Sequence, residues 1–158
     1  MQSAPAGSPS QSLRRRREAV VRAHMQAEND RDFDRALDAF DHPRYELVAT
    51  GQVYDGPEEV REYYRATRTA FPDQRNENVV LHHADDAVIA EFDLKGTHLG
   101  PFLGLEPTGR TFSCRMAAVF EFDGDRIACE RVYFDLATIA GQLGLLDRLA
   151  GPDARRPG

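Results

Sequence analysis

The order of residue patterns along this chain predicts an α+β fold, with helices first and then an antiparallel meander closed by one more helix. Apolar residues recur at helical spacing up to Phe71. Beyond Arg75 they recur at every second position, most cleanly between Arg110 and Phe122. There Phe112, Cys114, Met116, Ala118, Phe120 and Phe122 share one face, while Thr111, Ser113, Arg115 and Glu121 share the other. A third observation is turn chemistry: Asp85-Asp86 and Asp123-Gly124-Asp125 read as hairpin connections.

Each element follows from its local sequence. Residues 1–12, rich in Ser, Pro, Ala, Gly and Gln, read as a disordered tail. Arg14 to Arg17 make a basic run, either a contact for an anionic surface or a solvated helix start. The acidic remainder offers no second basic patch, which favours the solvated start. From Leu13 to about Asn29, Val20, Val21, His24, Met25 and Ala27 form a helical stripe. A short helix with Phe33, Leu37 and Phe40 on one face stops at Asp41-His42-Pro43, because proline disfavours helix in the residue before it. Tyr45–Thr50 reads as a strand. Pro57 at the first helical position and Glu58-Glu59 in the first turn then start a helix that presents Val60, Tyr63, Tyr64, Thr67 and Phe71 inward.

Four strands are expected at about Arg75–His83, Ala87–His98, Arg110–Phe122 and Arg126–Phe134. In the second, Val88, Ala90, Phe92, Leu94, Gly96 and His98 share the inward face. A helix from Leu136 to Leu143 ends at Gly144, a C-cap. The domain therefore spans residues 13–147, with 148–158 a flexible tail.

Composition narrows the function classes. With 158 residues and 41% apolar content, the chain has material for one domain with a real core. A net charge of −6 argues against a nucleic-acid binder. No apolar run is long enough to span a bilayer, and the N-terminus lacks a secretory apolar segment, so a cytoplasmic protein is expected. Cys114 and Cys129 read as buried, reduced thiols. No His, Cys, Asp or Glu spacing matches a metal motif, and neither a metal nor an organic cofactor is expected.

Three motifs carry a resemblance to a known family: Asp55-Gly56-Pro57-Glu58 with Ala70-Phe71-Pro72-Asp73; Gly96-Thr97-His98-Leu99-Gly100 through Pro107-Thr108-Gly109-Arg110; and the FDGDRI hairpin with a helix ending Gln142-Leu143-Gly144. In this order and spacing they resemble the SnoaL-like polyketide cyclases and ester cyclases of the NTF2-like superfamily, over residues 18 to 147. The resemblance implies an NTF2-like cone, a curved antiparallel sheet wrapped around the N-terminal helices with an apolar cavity open at one end. It also implies a homodimer through the outer sheet face. The reaction implied is a cofactor-free intramolecular aldol closure, in which a desolvated carboxylate takes an acidic proton and a donor steadies the enolate.

Carried over residue by residue, that set is only partly kept. The cyclase aspartate falls at Val132, and the polar Gln and His of the preceding strand fall at Met116 and Ala118. The glycine-loop histidine is His98, and an aspartate at the start of the last helix is Asp135. Asp135 is either a helix N-cap or an acid/base at the cavity mouth. Glu130 shares the strand face of Val132, so it is either a relocated base, a charge toward the open rim, or a partner of Arg115 or Arg131. His98 either orders its loop or acts as donor and proton shuttle.

The catalytic candidates are thus Asp135, Glu130 and His98. Met116, Ala118, Val132, Phe120, Phe102, Tyr54 and Tyr63 are the expected substrate-binding wall. Two functions remain open: a cyclase or isomerase working on a small hydrophobic, oxygenated, polyketide-like metabolite, and a binding or accessory protein that keeps the cavity without the aspartate. A third, a protein-interaction module, draws on the fold alone.

Overall fold

A computed structural model describes residues 8–149. The expected tails lie mostly outside that span. The first helix, α1, runs Gln11–Asn29, with Ser10 accepting a hydrogen bond from the Leu13 amide as its N-cap. Short α2 (Phe33–Leu37) follows, then strands β1 (Arg44–Leu47) and β2 (Gln52–Asp55), then α3 (Pro57–Ala70). Strands β3 (Arg75–His83), β4 (Ala87–Thr97), β5 (Thr111–Asp123) and β6 (Arg126–Tyr133) lead into α4 (Leu136–Leu143) and a single turn, α5 (Leu146–Leu149).

The sheet is curved and open, in the order β2-β1-β6-β5-β4-β3. Its pairings are antiparallel except that β1 lies parallel to β6, so the sheet is mixed. The sequence reading missed this pairing and also missed β2. Both strands are four residues long, too short for alternation to register. The parity of the long strands holds: Phe112, Cys114, Met116, Ala118, Phe120 and Phe122 are buried together on β5. One slip occurs. A bulge at Ala128 lets Ile127 join Glu130 and Val132 on the inner face.

Three side-chain locks explain the motif residues. Asp73 accepts hydrogen bonds from the Thr97 amide (2.7 Å) and hydroxyl (2.6 Å), tying the end of α3 to the end of β4. The Leu99 and Gly100 amides then donate to the Ala70 carbonyl. A Cβ on Gly100 would lie 2.1 Å from the Thr69 carbonyl oxygen, so only glycine permits this approach. Gln142 receives the Ser113 amide and donates to the Ser113 carbonyl, clamping α4 onto β5.

Arg17 departs from the expected solvated run. It is buried, donates to the Asp85 and Gly124 carbonyls, and so holds both hairpin turns against α1. No helix among the described residues is long and apolar enough to cross a membrane.

Candidate functional site

The open end of the sheet, α3, α4 and the loop after β4 enclose a cavity of about 300 Å³. The sheet contributes Leu94 from β4, Phe112 and Met116 from β5 and Val132 from β6, all on its inner face. Phe71, Phe102, Phe134 and Ile139 extend this apolar wall. Its polar groups are neutral: Thr50, Gln52, Tyr54, Tyr63, Thr67 and Gln74. Tyr54 and Tyr63 pack ring to ring at 5.1 Å. Among the described residues, no carboxylate, imidazole or cation lines this cavity.

Of the expected wall, Met116, Val132, Phe102, Tyr54 and Tyr63 do line it. Ala118 and Phe120 do not. Ala118 pairs with Val132 and Phe120 with Glu130, and both side chains have no accessible surface. Phe120 lies one inward position, about 7 Å, beyond Ala118 and Val132 and so falls in the packed core, whereas Ala118 is level with Val132 and presents only a covered methyl group.

The three catalytic candidates are dispersed. Asp135 is exposed, and its carboxylate accepts from the Thr138 amide (3.2 Å) and hydroxyl (2.8 Å) as the N-cap of α4. Those bonds hold its carboxyl below the ordinary range, which suits a cap and weakens a base. It borders a shallow depression on the outer sheet face with Arg115 and Tyr133, and not the cavity.

His98 is buried behind Phe71 and Phe102. Its Nδ1 accepts the Thr108 amide at 3.1 Å and meets the Thr108 hydroxyl at 3.2 Å, which orders the glycine loop. Among the described residues, no hydrogen-bond partner meets its buried Nε2. Burial lowers its pKa against a smaller opposing pull from the Gly100 backbone.

Glu130 does point inward, as its strand parity requires, but below the cavity floor. Its partner is neither Arg115 nor Arg131 but His24, at 3.0 Å. Arg131 instead binds Glu46 and Glu121 on the outer face, and Arg115 lies within 3.4 Å of Asp93.

Around Glu130 sits a buried network that the sequence reading did not assemble. Its members are His24 and Glu28 from α1, Tyr45 from β1 and Tyr64 from α3. The Tyr45 hydroxyl lies 3.0 Å from His24 Nε2, 3.5 Å from Glu28 and 2.5 Å from the Tyr64 hydroxyl. His24 Nδ1 bonds the Ala36 carbonyl at 2.8 Å. Burial opposes protonation of His24, but the charges of Glu28 and Glu130 outweigh it and push its pKa up to about 9. Burial, then the charge of Glu130, raises Glu28 to about 7, against the pull of His24 and Arg68. Burial also lifts the Tyr45 and Tyr64 hydroxyls well above their usual value. One signal was present in the sequence. His24 and Glu28 are four apart, hence neighbours on one helical face, beside the apolar Val21 and Met25.

The comparisons agree with this architecture. The model of the SnoaL-like polyketide cyclase family matches residues 18–143. A candidate polyketide cyclase from Xanthomonas campestris superposes with a TM-score of 0.76 at 21% identity, over 83% of this chain and 98% of that one. A SnoaL-like candidate polyketide cyclase from Jannaschia sp. CCS1 gives 0.74 at 20% identity, over 87% and 97%. IdmH, a candidate polyketide cyclase from Streptomyces antibioticus, gives 0.69 at 24%, over 81% and 98%. No curated protein sequence matches this one.

Proposed function

Because this chain belongs to the SnoaL-like polyketide cyclase family, we propose that its cavity receives one small, mostly apolar, polyketide-like molecule bearing carbonyl or hydroxyl oxygens, and binds it without a base in the wall. The observation that carries this reading is the lining: apolar side chains with neutral donors and acceptors, and no ionisable carboxylate or imidazole among the described residues. A ligand oxygen would be met by the hydroxyls of Tyr54 and Tyr63 and the amide of Gln74, while the rest of the molecule displaces water from the phenylalanine rings. Aldol closure needs proton removal, and Val132 offers no group that could take the proton.

A second reading, cyclase or isomerase turnover, is favoured by one specific feature. The ionisable network lies directly behind the wall, with Tyr45 packed on Tyr63 at 5.4 Å between ring centroids. A proton could be relayed if the tyrosines shift.

Titration of the protein with β-keto esters and enolisable ketones, followed by calorimetry and by product analysis, separates the two. Saturable binding with unchanged ligand supports the binding reading. Turnover that disappears in Glu130→Gln overturns it in favour of the enzyme, and absence of binding across the panel overturns both.

A further inference from the structure

We propose that His24, Glu28 and Glu130 form a structural site for a divalent cation of the zinc class, held between α1 and β6 beneath the cavity floor. This inference does not depend on what the cavity binds.

Bonds of about 2.0–2.1 Å in a tetrahedral site place neighbouring ligand atoms about 3.4 Å apart. His24 Nε2 lies 3.0 Å from Glu130 Oε2 and 3.5 Å from Glu28 Oε1, one on either side of that edge. The nearest ligand atoms of all three residues fall within 4.8 Å of one another. His24 is already oriented as a ligand: its Nδ1 faces the Ala36 carbonyl at 2.8 Å, which leaves the Nε2 lone pair directed at the two carboxylates. The Tyr45 hydroxyl, 3.0 Å from Nε2, occupies the fourth side.

Charge points the same way. Without a metal, a proton on His24 offsets part of the charge of the two carboxylates; a divalent ion that displaces this proton would neutralise the −2 left by two carboxylates and a neutral imidazole, in a region with almost no accessible surface. Arg68 acts on Glu28 only through its charge and makes no direct ion pair with either carboxylate. Arg68 gives a hydrogen bond to Thr67 and lays its guanidinium over Phe33 and Tyr64. One nitrogen and two oxygen ligands suit zinc, cobalt(II) or manganese(II) better than a soft copper(I) site. Closure on all sides makes the ion a staple of helix to sheet and not a Lewis acid for the cavity.

The test uses the full chain, made without an affinity tag. After exposure to zinc and desalting, elemental analysis is expected to find about one zinc per chain, and chelator is expected to lower Tm. Cobalt(II) should give visible d–d bands that vanish in Glu28→Gln, with Asp135→Asn as the surface control that keeps them. Should Glu28→Gln fail to fold, the zinc-dependent Tm of the unaltered chain decides. No retained metal together with a chelator-insensitive Tm overturns the site and leaves a network held by protons. Retained metal with bands unchanged in a folded Glu28→Gln also overturns it, because the ion then sits elsewhere.

Discussion

The cavity and the network beneath it are built from the same strands yet differ in every chemical respect. At the level of Met116 and Val132 the inner face is apolar and opens into a space of about 300 Å³. Deeper, at the paired Phe120 and Glu130, the same face carries a carboxylate bonded to an imidazole, both buried. The difference teaches that facing inward and facing a ligand are separate properties. Strand parity decides the first. Depth along the strand and the rings of Tyr45, Tyr63 and Tyr64 decide the second.

The largest expected effect comes from breaking the deeper region. His24→Ala would leave two buried carboxylates without their shared partner, at a cost of about 3–5 kcal/mol. Chemical denaturation checks this; a loss below 1 kcal/mol would mean that the network is not a stability element. In metal-free protein, Glu28→Leu offers a sharper contrast, since it removes one of two like charges and should cost markedly less than His24→Ala.

Next, the contrast can be erased from the cavity side. Val132→Asp places a carboxylate in an apolar wall, and about 1–3 kcal/mol of stability should be lost if it finds no hydrogen bond. Affinity for an uncharged ligand at neutral pH should fall at least about tenfold, equivalent to about 1.4 kcal/mol. Unchanged affinity would place the ligand outside this cavity.

Smaller effects separate the tyrosines. Tyr63→Phe should weaken ligand binding by about 1 kcal/mol, or roughly fivefold, with little change in stability. Tyr45→Phe should do the reverse, because its hydroxyl serves the network and does not line the cavity. Calorimetric titration beside thermal melts distinguishes these outcomes, and equal effects on both readouts would merge the two regions into one.

The smallest effect belongs to Asp135. Its folded carboxyl titrates below the ordinary range because Thr138 binds the ionised form. The stability it contributes is therefore present above the unfolded carboxylate pKa and is lost as pH falls through the folded one. Asp135→Asn should flatten that acid limb of Tm against pH slightly and leave ligand affinity unchanged. A large affinity loss would restore Asp135 to the site.

Much of this fold was legible in the sequence, for physical reasons that can be named. Period-two alternation on β4 and β5 gave their inner face, and Gly144 takes the left-handed conformation expected of a C-cap. The parallel β1–β6 pairing was not legible, because it joins residues far apart in the chain and one of its strands is only four residues long. The wall positions Met116, Val132, Phe102, Tyr54 and Tyr63 were found from parity and motif alignment. Phe120 shares the parity of Met116 and fails on depth, whereas Ala118 lies opposite Val132 but is covered, and no local pattern encodes either outcome. His24 was read as part of an apolar stripe, and its contact with Glu130 spans 106 positions. Asp135 satisfied both a capping and a catalytic expectation in the sequence, and only geometry separates them.

The central claim is that the cavity wall contains no functioning base. Its most direct test is hydrogen–deuterium exchange at the acidic carbon of a bound β-keto ester, followed by NMR in D₂O with the unaltered protein in excess. The expected result is line broadening and shift changes that report binding, with an exchange rate no greater than that in buffer. Exchange faster than buffer that disappears in Glu130→Gln would contradict it and make the buried network a working acid/base relay.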